Sequence, residues 1–112
     1  MSANPANTQN LNRLKSTVFD ALSDPVRLEI MEFLRDGEKC VCDIIPHLHL
    51  IQPVVSRHLK VLRDTGLVRC RKEGNKRLYS VTDSRVYSVI DAVTSELAAV
   101  LTKEIFEHMV CH

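Results

Sequence analysis

The sequence predicts a mainly α fold with a small β component (α+β). Apolar residues recur at helical spacing along most of the chain, and the pattern changes once, between residues 67 and 81, where apolar and basic residues alternate over 67–72 and a second strand follows a turn. Capping residues and glycines separate the segments. The 112 residues make one domain's worth of chain. Hydrophobic residues at 45% and charged residues at 26% exclude disorder, a collagen-like repeat and low complexity as the main state. No stretch approaches the roughly 18 apolar residues of a bilayer span, so no membrane association is expected. Met1-Ser2-Ala3-Asn4-Pro5 lacks the apolar core of a secretory signal, and a cytoplasmic location is the expectation.

Residues 1–10 are polar and unpatterned and are expected to form a flexible tail, with one domain over 11–112. Leu14, Val18, Phe19, Ala21 and Leu22 mark a first helix, about Asn12 to Leu22. Asp24 is an N-cap and Pro25 an N1 residue for a second helix, to about Arg35, burying Leu28, Ile30, Met31 and Leu34. Gly37 is expected at its C′ position. A short third helix reaches Leu48. Proline belongs in a first turn, so Pro46 places its start near Cys42 or Asp43. After a turn at 49–51, Gln52-Pro53 opens a fourth helix with Val55, Leu59 and Leu62 as its buried stripe, and Gly66 closes it. Leu67–Lys72 and Arg77–Val81 read as two strands of a hairpin. Asp83 then caps one long helix to about Val110, with an apolar stripe too long for so small a core to cover alone. That stripe predicts packing against a second copy of the chain.

This order is a winged helix-turn-helix layout: five helices and a two-stranded wing, dimerising through terminal helices. The fourth helix is the candidate reader of double-stranded DNA. Charge agrees with that assignment. Eight basic residues against Asp64 and Glu73 give residues 52–82 a net +6 inside a chain of net +1. Gln52, Ser56 and Lys60 share one helical face, with Arg57 and His58 beside them. Arg71, Lys72, Lys76 and Arg77 on the hairpin are placed to meet phosphates or a minor groove.

Three segments together resemble the ArsR/SmtB family of metal-sensing repressors. They are Glu38-Lys39-Cys40-Val41-Cys42-Asp43-Ile44, the run from Gln52 to Arg63, and Gly66-Leu67-Val68. Ala21–Leu28 resembles the family's opening helix pair, and the likeness covers about residues 15–95. It implies a homodimer that holds a palindromic operator and leaves it when an effector binds. Cys40 and Cys42 resemble the third-helix thiolate site of the arsenic and cadmium/lead sensors, although Ile45 stands where many arsenic sensors carry a third cysteine. The family's zinc site is not matched. Asp83 fits its first ligand, but Arg85 replaces a histidine, and Glu96 and Ala99 hold the later positions. Ile51 stands where a serine cap is usual.

The four cysteines are Cys40, Cys42, Cys70 and Cys111. In a reducing compartment they read as metal or redox groups rather than structural bridges. Thiolates at a helix start select soft ions. Arsenite or antimonite is the expected effector, with cadmium, lead or zinc as further candidates. Residues i and i+2 of an ideal helix point about 200° apart. Cys40 must therefore precede the helix, or ion binding must unwind its first turn. Arsenic(III) takes three thiolates; Cys111 is the candidate third donor, and His108 and His112 are weaker ones. Cys70 alternates with Arg69 and Arg71 and reads as a small core residue, and His47 and His49 as a polar turn. The alternative is a thiol redox or persulfide sensor joining Cys40 or Cys42 to Cys111. No redox Cys-x-x-Cys, phosphate loop or nucleophile–base pair points to an enzyme.

Overall fold

The computed structural model describes residues 8–110. Among them the order is α1 (Thr8–Ala21), α2 (Pro25–Phe33), β1 (Lys39–Cys40), α3 (Val41–Leu48), α4 (Gln52–Asp64), β2 (Val68–Glu73), β3 (Lys76–Val81), α5 (Val86–Asp91) and α6 (Ser95–Val110). The predicted five helices and two strands become six and three. The chain forms two compact units, one up to Thr82 and one from Asp83. Thr8, Gln9 and Asn10, assigned to the tail, belong to the first turn of α1.

In the first unit, α2, α3 and α4 supply the centre of the core. Ile30, Met31, Ile44, Val55, Leu59 and Leu62 are fully buried. Each such side chain contributes about 1.5–3 kcal/mol by leaving water. The Asp24 carboxylate accepts from the amides of Val26 and Arg27, as its position before Pro25 predicts. Gly37 is not the C′ residue. Leu34 is the C-cap, and Gly37 lies further on, in the loop to β1. Ala21 at the end of α1 and Leu22 just after it are buried, while Leu11, Leu14 and Phe19 are exposed.

The sheet has the order β1-β3-β2 and is antiparallel throughout. β1 pairs Lys39 with Tyr79 and Cys40 with Leu78. That pairing holds Cys40 extended, so the chain turns into α3 one residue later, at Val41. α3 thus starts earlier than Pro46 predicts. The proline sits within the helix, and its missing N–H leaves the Cys42 carbonyl without an i+4 donor.

Ile51 gives α4 no side-chain cap. Its far end closes more firmly. The Gly66 amide donates to the Arg63 carbonyl and the Leu67 amide to the Leu62 carbonyl, each at 3.0 Å. Gly66 has φ 81°, so this is a Schellman closure that a side chain would strain. Gly74 (φ 63°) holds the first position of the two-residue hairpin loop, where a type II′ turn needs glycine.

In the second unit the predicted single helix is interrupted. α5 ends at Asp91, and the Thr94 hydroxyl caps a new helix by accepting from the Leu97 amide at 3.1 Å. Asp83 accepts from the Arg85 amide instead of capping a long helix. α6 buries none of its side chains. Among the described residues no helix is long and apolar enough to cross a membrane.

The uncapped start of α4 makes a prediction. Ile51 is 67% exposed, so Ile51→Ser loses little burial and supplies the missing acceptor. Urea unfolding should show the variant more stable by about 0.5–1 kcal/mol.

Candidate functional site

Two sets of residues carry chemistry in the first unit, and Val41 belongs to the surroundings of both. The first set lines a groove between α4 and the sheet. Gln52, Ser56 and Lys60 contribute from α4, as their shared face predicts, and Arg77 and Tyr79 contribute from β3. Val41, between the two cysteines, forms part of the same wall. Arg63 also lines the groove and is absent from the sequence-based set. The spacing carried the signal, because Ser56, Lys60 and Arg63 stand at i, i+4 and i+7.

The cations differ in how free they are. Lys60 donates to Asp64 at 2.6 Å, and that bond holds the Asp64 carboxyl below its ordinary value. The pair is exposed, so it adds little stability and competes weakly with a polyanion. Arg71 is different. It grips Glu38 through two bonds of 2.8 and 2.9 Å and reaches Glu73 at 3.4 Å. The hydrogen bond from Arg71 holds the Glu38 carboxyl down in turn. Arg71, predicted as a phosphate contact, is therefore engaged in fastening the segment before β1 to β2. Lys72 and Arg77 face each other directly across the hairpin, and Glu73 faces Lys76. Opposed like charges destabilise a sheet, so the wing carries a repulsion that a phosphate backbone would relieve. Arg57 is exposed on α4.

His58 departs from its predicted place among the reading residues. Its side chain is 17% exposed and turns toward the start of α2. Nδ1 lies 3.2 Å from Arg27 Nη1 and 4.0 Å from Asp24 Oδ1. The reason is periodicity. His58 stands three residues after Val55 and four before Leu62, on the flank of the buried stripe.

The second set is the thiol pair. Cys40 is the N-cap of α3, outside the helix proper, and its sulfur accepts from the Cys42 amide at 3.1 Å. This is the first of the two arrangements that i, i+2 spacing allows. The two sulfurs are joined as a disulfide with Cα atoms 5.1 Å apart. A bridge between these neighbours differs from the bridge to Cys111 that the alternative, redox-sensing reading expects. Cys111 and His112 lie outside the described residues, and His108 is exposed in the last turn of α6. Among the described residues no three His, Cys, Asp or Glu side chains are grouped to hold a metal ion. Cys70 is half-buried beside Tyr79 on β3. Burial first, and then a hydrogen bond with Cys70, push the Tyr79 phenol up. In the second unit the Asp83 carboxylate is held by Arg85, with Nη2 at 2.6 Å and Nε at 3.0 Å, where a zinc site would need it open.

A short helix, a three-residue turn, a second helix and a basic hairpin define the winged helix-turn-helix class of regulators. Residues 24–69 match the arsR family of bacterial regulatory proteins. The chain is 48% identical over 66 residues to an arsenical resistance operon repressor of Staphylococcus xylosus, covering 59% of this chain and 64% of that one. It is 43% identical over 77 residues to an uncharacterized HTH-type transcriptional regulator of Methanocaldococcus jannaschii, covering 68% and 86%. A solution structure from Mycobacterium bovis matches with TM-score 0.69 and 27% identity over 96% of this chain and 95% of that one. It is a homodimeric winged helix-turn-helix DNA-binding domain of a possible ArsR-family regulator. The chain belongs to the arsR family, whose members are transcriptional regulators and not enzymes.

The disulfide gives a direct prediction. Peptide mapping without reductant should find the fragment holding Cys40 and Cys42 two hydrogens lighter than its dithiol, and closed to alkylation until reduced. Two alkylated thiols in the unreduced sample would contradict the bridge.

Proposed function

We propose that the chain is a homodimeric repressor that holds a double-stranded operator through α4 and the wing. A soft ion, arsenite or antimonite first, would release it by binding the reduced thiolates of Cys40 and Cys42. The observation that carries this reading is the placing of Val41. It stands between the two sulfurs and forms part of the groove that Gln52, Ser56, Lys60 and Arg77 line. A group that pulls on either sulfur pulls on the wall of the candidate reading surface.

The donor set supports the assignment in part. Two sulfurs converge at the positive end of α3, where the helix dipole favours thiolate over thiol. Cys111 is the proposed third donor. The ion supplies strong bonds to sulfur, and the chain's residues do the rest. As a cap, the Cys40 sulfur accepts from the Cys42 amide. Ligation draws that lone pair away and fixes the two side chains against each other, which disturbs the first turn of α3. An effector must bind one state better than the other, and moving a population from mostly bound to mostly free takes several kcal/mol of difference. Bonds to two or three thiolates meet that demand. The exposed apolar residues of α6 and the homodimeric M. bovis relative support pairing of two chains.

The observed disulfide favours a second reading, a thiol redox sensor. There two thiols would pass two electrons and two protons to a peroxide, giving water and the Cys40–Cys42 bridge. Titrating the reduced protein–promoter complex separates the two. Release by stoichiometric arsenite, lost in Cys40→Ser and Cys42→Ser, supports ion sensing. Release by peroxide with indifference to arsenite supports redox sensing. If Cys111→Ser responds to arsenite like the wild type, the third donor lies elsewhere.

The opposed cations of the wing generate another expectation. Lys72→Glu replaces a like-charge pair with an attractive one, so thermal unfolding should show the protein more stable by about 0.2–1 kcal/mol. The same variant should bind all duplexes more weakly and show a shallower dependence on salt.

A further inference from the structure

We propose that Arg27 is a positioning residue for DNA reading, acting through His58 to set the rotation of α4. The proposal rests on α4 being the reading helix. One guanidinium joins three helices. Arg27 Nε donates to the Ala21 carbonyl at 2.6 Å and Nη2 to the Asp20 carbonyl at 3.3 Å, both at the end of α1. Nη1 lies 3.2 Å from His58 Nδ1 on α4. These carbonyls lie at the negative end of the α1 dipole, so a cation there is well placed, although the Asp20 carbonyl also accepts from the Ser23 amide and hydroxyl. The Arg27 backbone is fixed as well, because its amide donates to the Asp24 cap.

Arginine carries only donors, so His58 Nδ1 must accept and the ring proton must sit on Nε2. Asp24, at 4.0 Å, is beyond hydrogen-bond reach of that nitrogen. The remaining anchors of α4 are apolar. Val55, Leu59 and Leu62 set which face of the helix meets the core, and Ile51 leaves its first turn without a side-chain cap. A directional bond from His58, on the flank of that stripe, narrows the rotation further. Side chains reach about 5–6 Å from a helix axis, so a rotation of about 20° carries a reading side chain by about 2 Å. That distance separates a hydrogen bond to a base edge from none. Phosphate contacts from the wing tolerate it better, being longer-ranged and carrying no sequence information.

The readout is therefore preference rather than total affinity: the ratio of Kd for a scrambled duplex to Kd for the chain's own promoter fragment. In Arg27→Gln and in His58→Phe that ratio should fall about tenfold or more, with binding to the scrambled duplex and its salt dependence unchanged. In His58→Asn the amide oxygen takes the place of Nδ1, and the ratio should be restored to within about threefold of the wild type. Nitrogen-15 spectra of the imidazole should show the Nε2–H tautomer in the wild type and its loss in Arg27→Gln. These spectra need no DNA, and they test the pairing even where a variant binds poorly. Preference retained in both Arg27→Gln and His58→Phe, or a ring protonated at Nδ1, would overturn the positioning role alone. A wild type that binds both duplexes equally would overturn the repressor reading itself, and the spectra would still show whether Arg27 holds His58.

Discussion

The hydrogen bond from the Cys42 amide to the Cys40 sulfur marks the point on which the first unit turns. Cys40 ends β1, where pairing with Leu78 on β3 fixes its backbone, and caps α3, where its sulfur satisfies an otherwise orphaned amide. Sheet and helix thus meet at one residue. α3 leads after three residues into α4, so the direction in which the chain leaves β1 sets where the α4 surface lies relative to the wing. Most helices are capped by oxygen from serine, threonine, aspartate or asparagine. A sulfur cap is chemically labile in a way that an oxygen cap is not: it can be oxidised, or claimed by a soft ion. In the structure the same sulfur both caps α3 and is bridged to Cys42, so the cap persists in the oxidised pair.

Electrostatics divides the cations of the wing into two groups. Arg71 is held by Glu38 and reinforces the fold, while Lys72 and Arg77 oppose each other and weaken it. The first arrangement is ordinary stabilisation. The second persists at a cost to the free protein, which is reasonable where the missing counter-charge arrives from outside.

Much of this fold was legible in the residues. Asp24-Pro25 announced α2, Gly66 announced the end of α4, and the Val55–Leu59–Leu62 stripe oriented α4. β1 was not legible, because two residues are too few to show alternation and their pairing depends on a strand nearly forty residues away. The break between α5 and α6 was hidden because apolar residues continue in phase across it, and only the Thr94 cap betrays it. Of the site, the common face of Gln52, Ser56 and Lys60 and the thiol pair followed from spacing. The partners of Arg71 and His58 were not legible, because composition reports a charge or a ring without its partner. Glu38 lies thirty-three residues from Arg71, and Arg27 thirty-one from His58.

α6 lends no side chain to the interior, so its sequence is free of the constraints that govern α2, α3 and α4. Val100, Ile105, Phe106 and Met109 can be exchanged without disturbing the packing behind the groove. After a gene duplication, such a segment can drift apart in two daughter proteins while each keeps the core of the first unit intact.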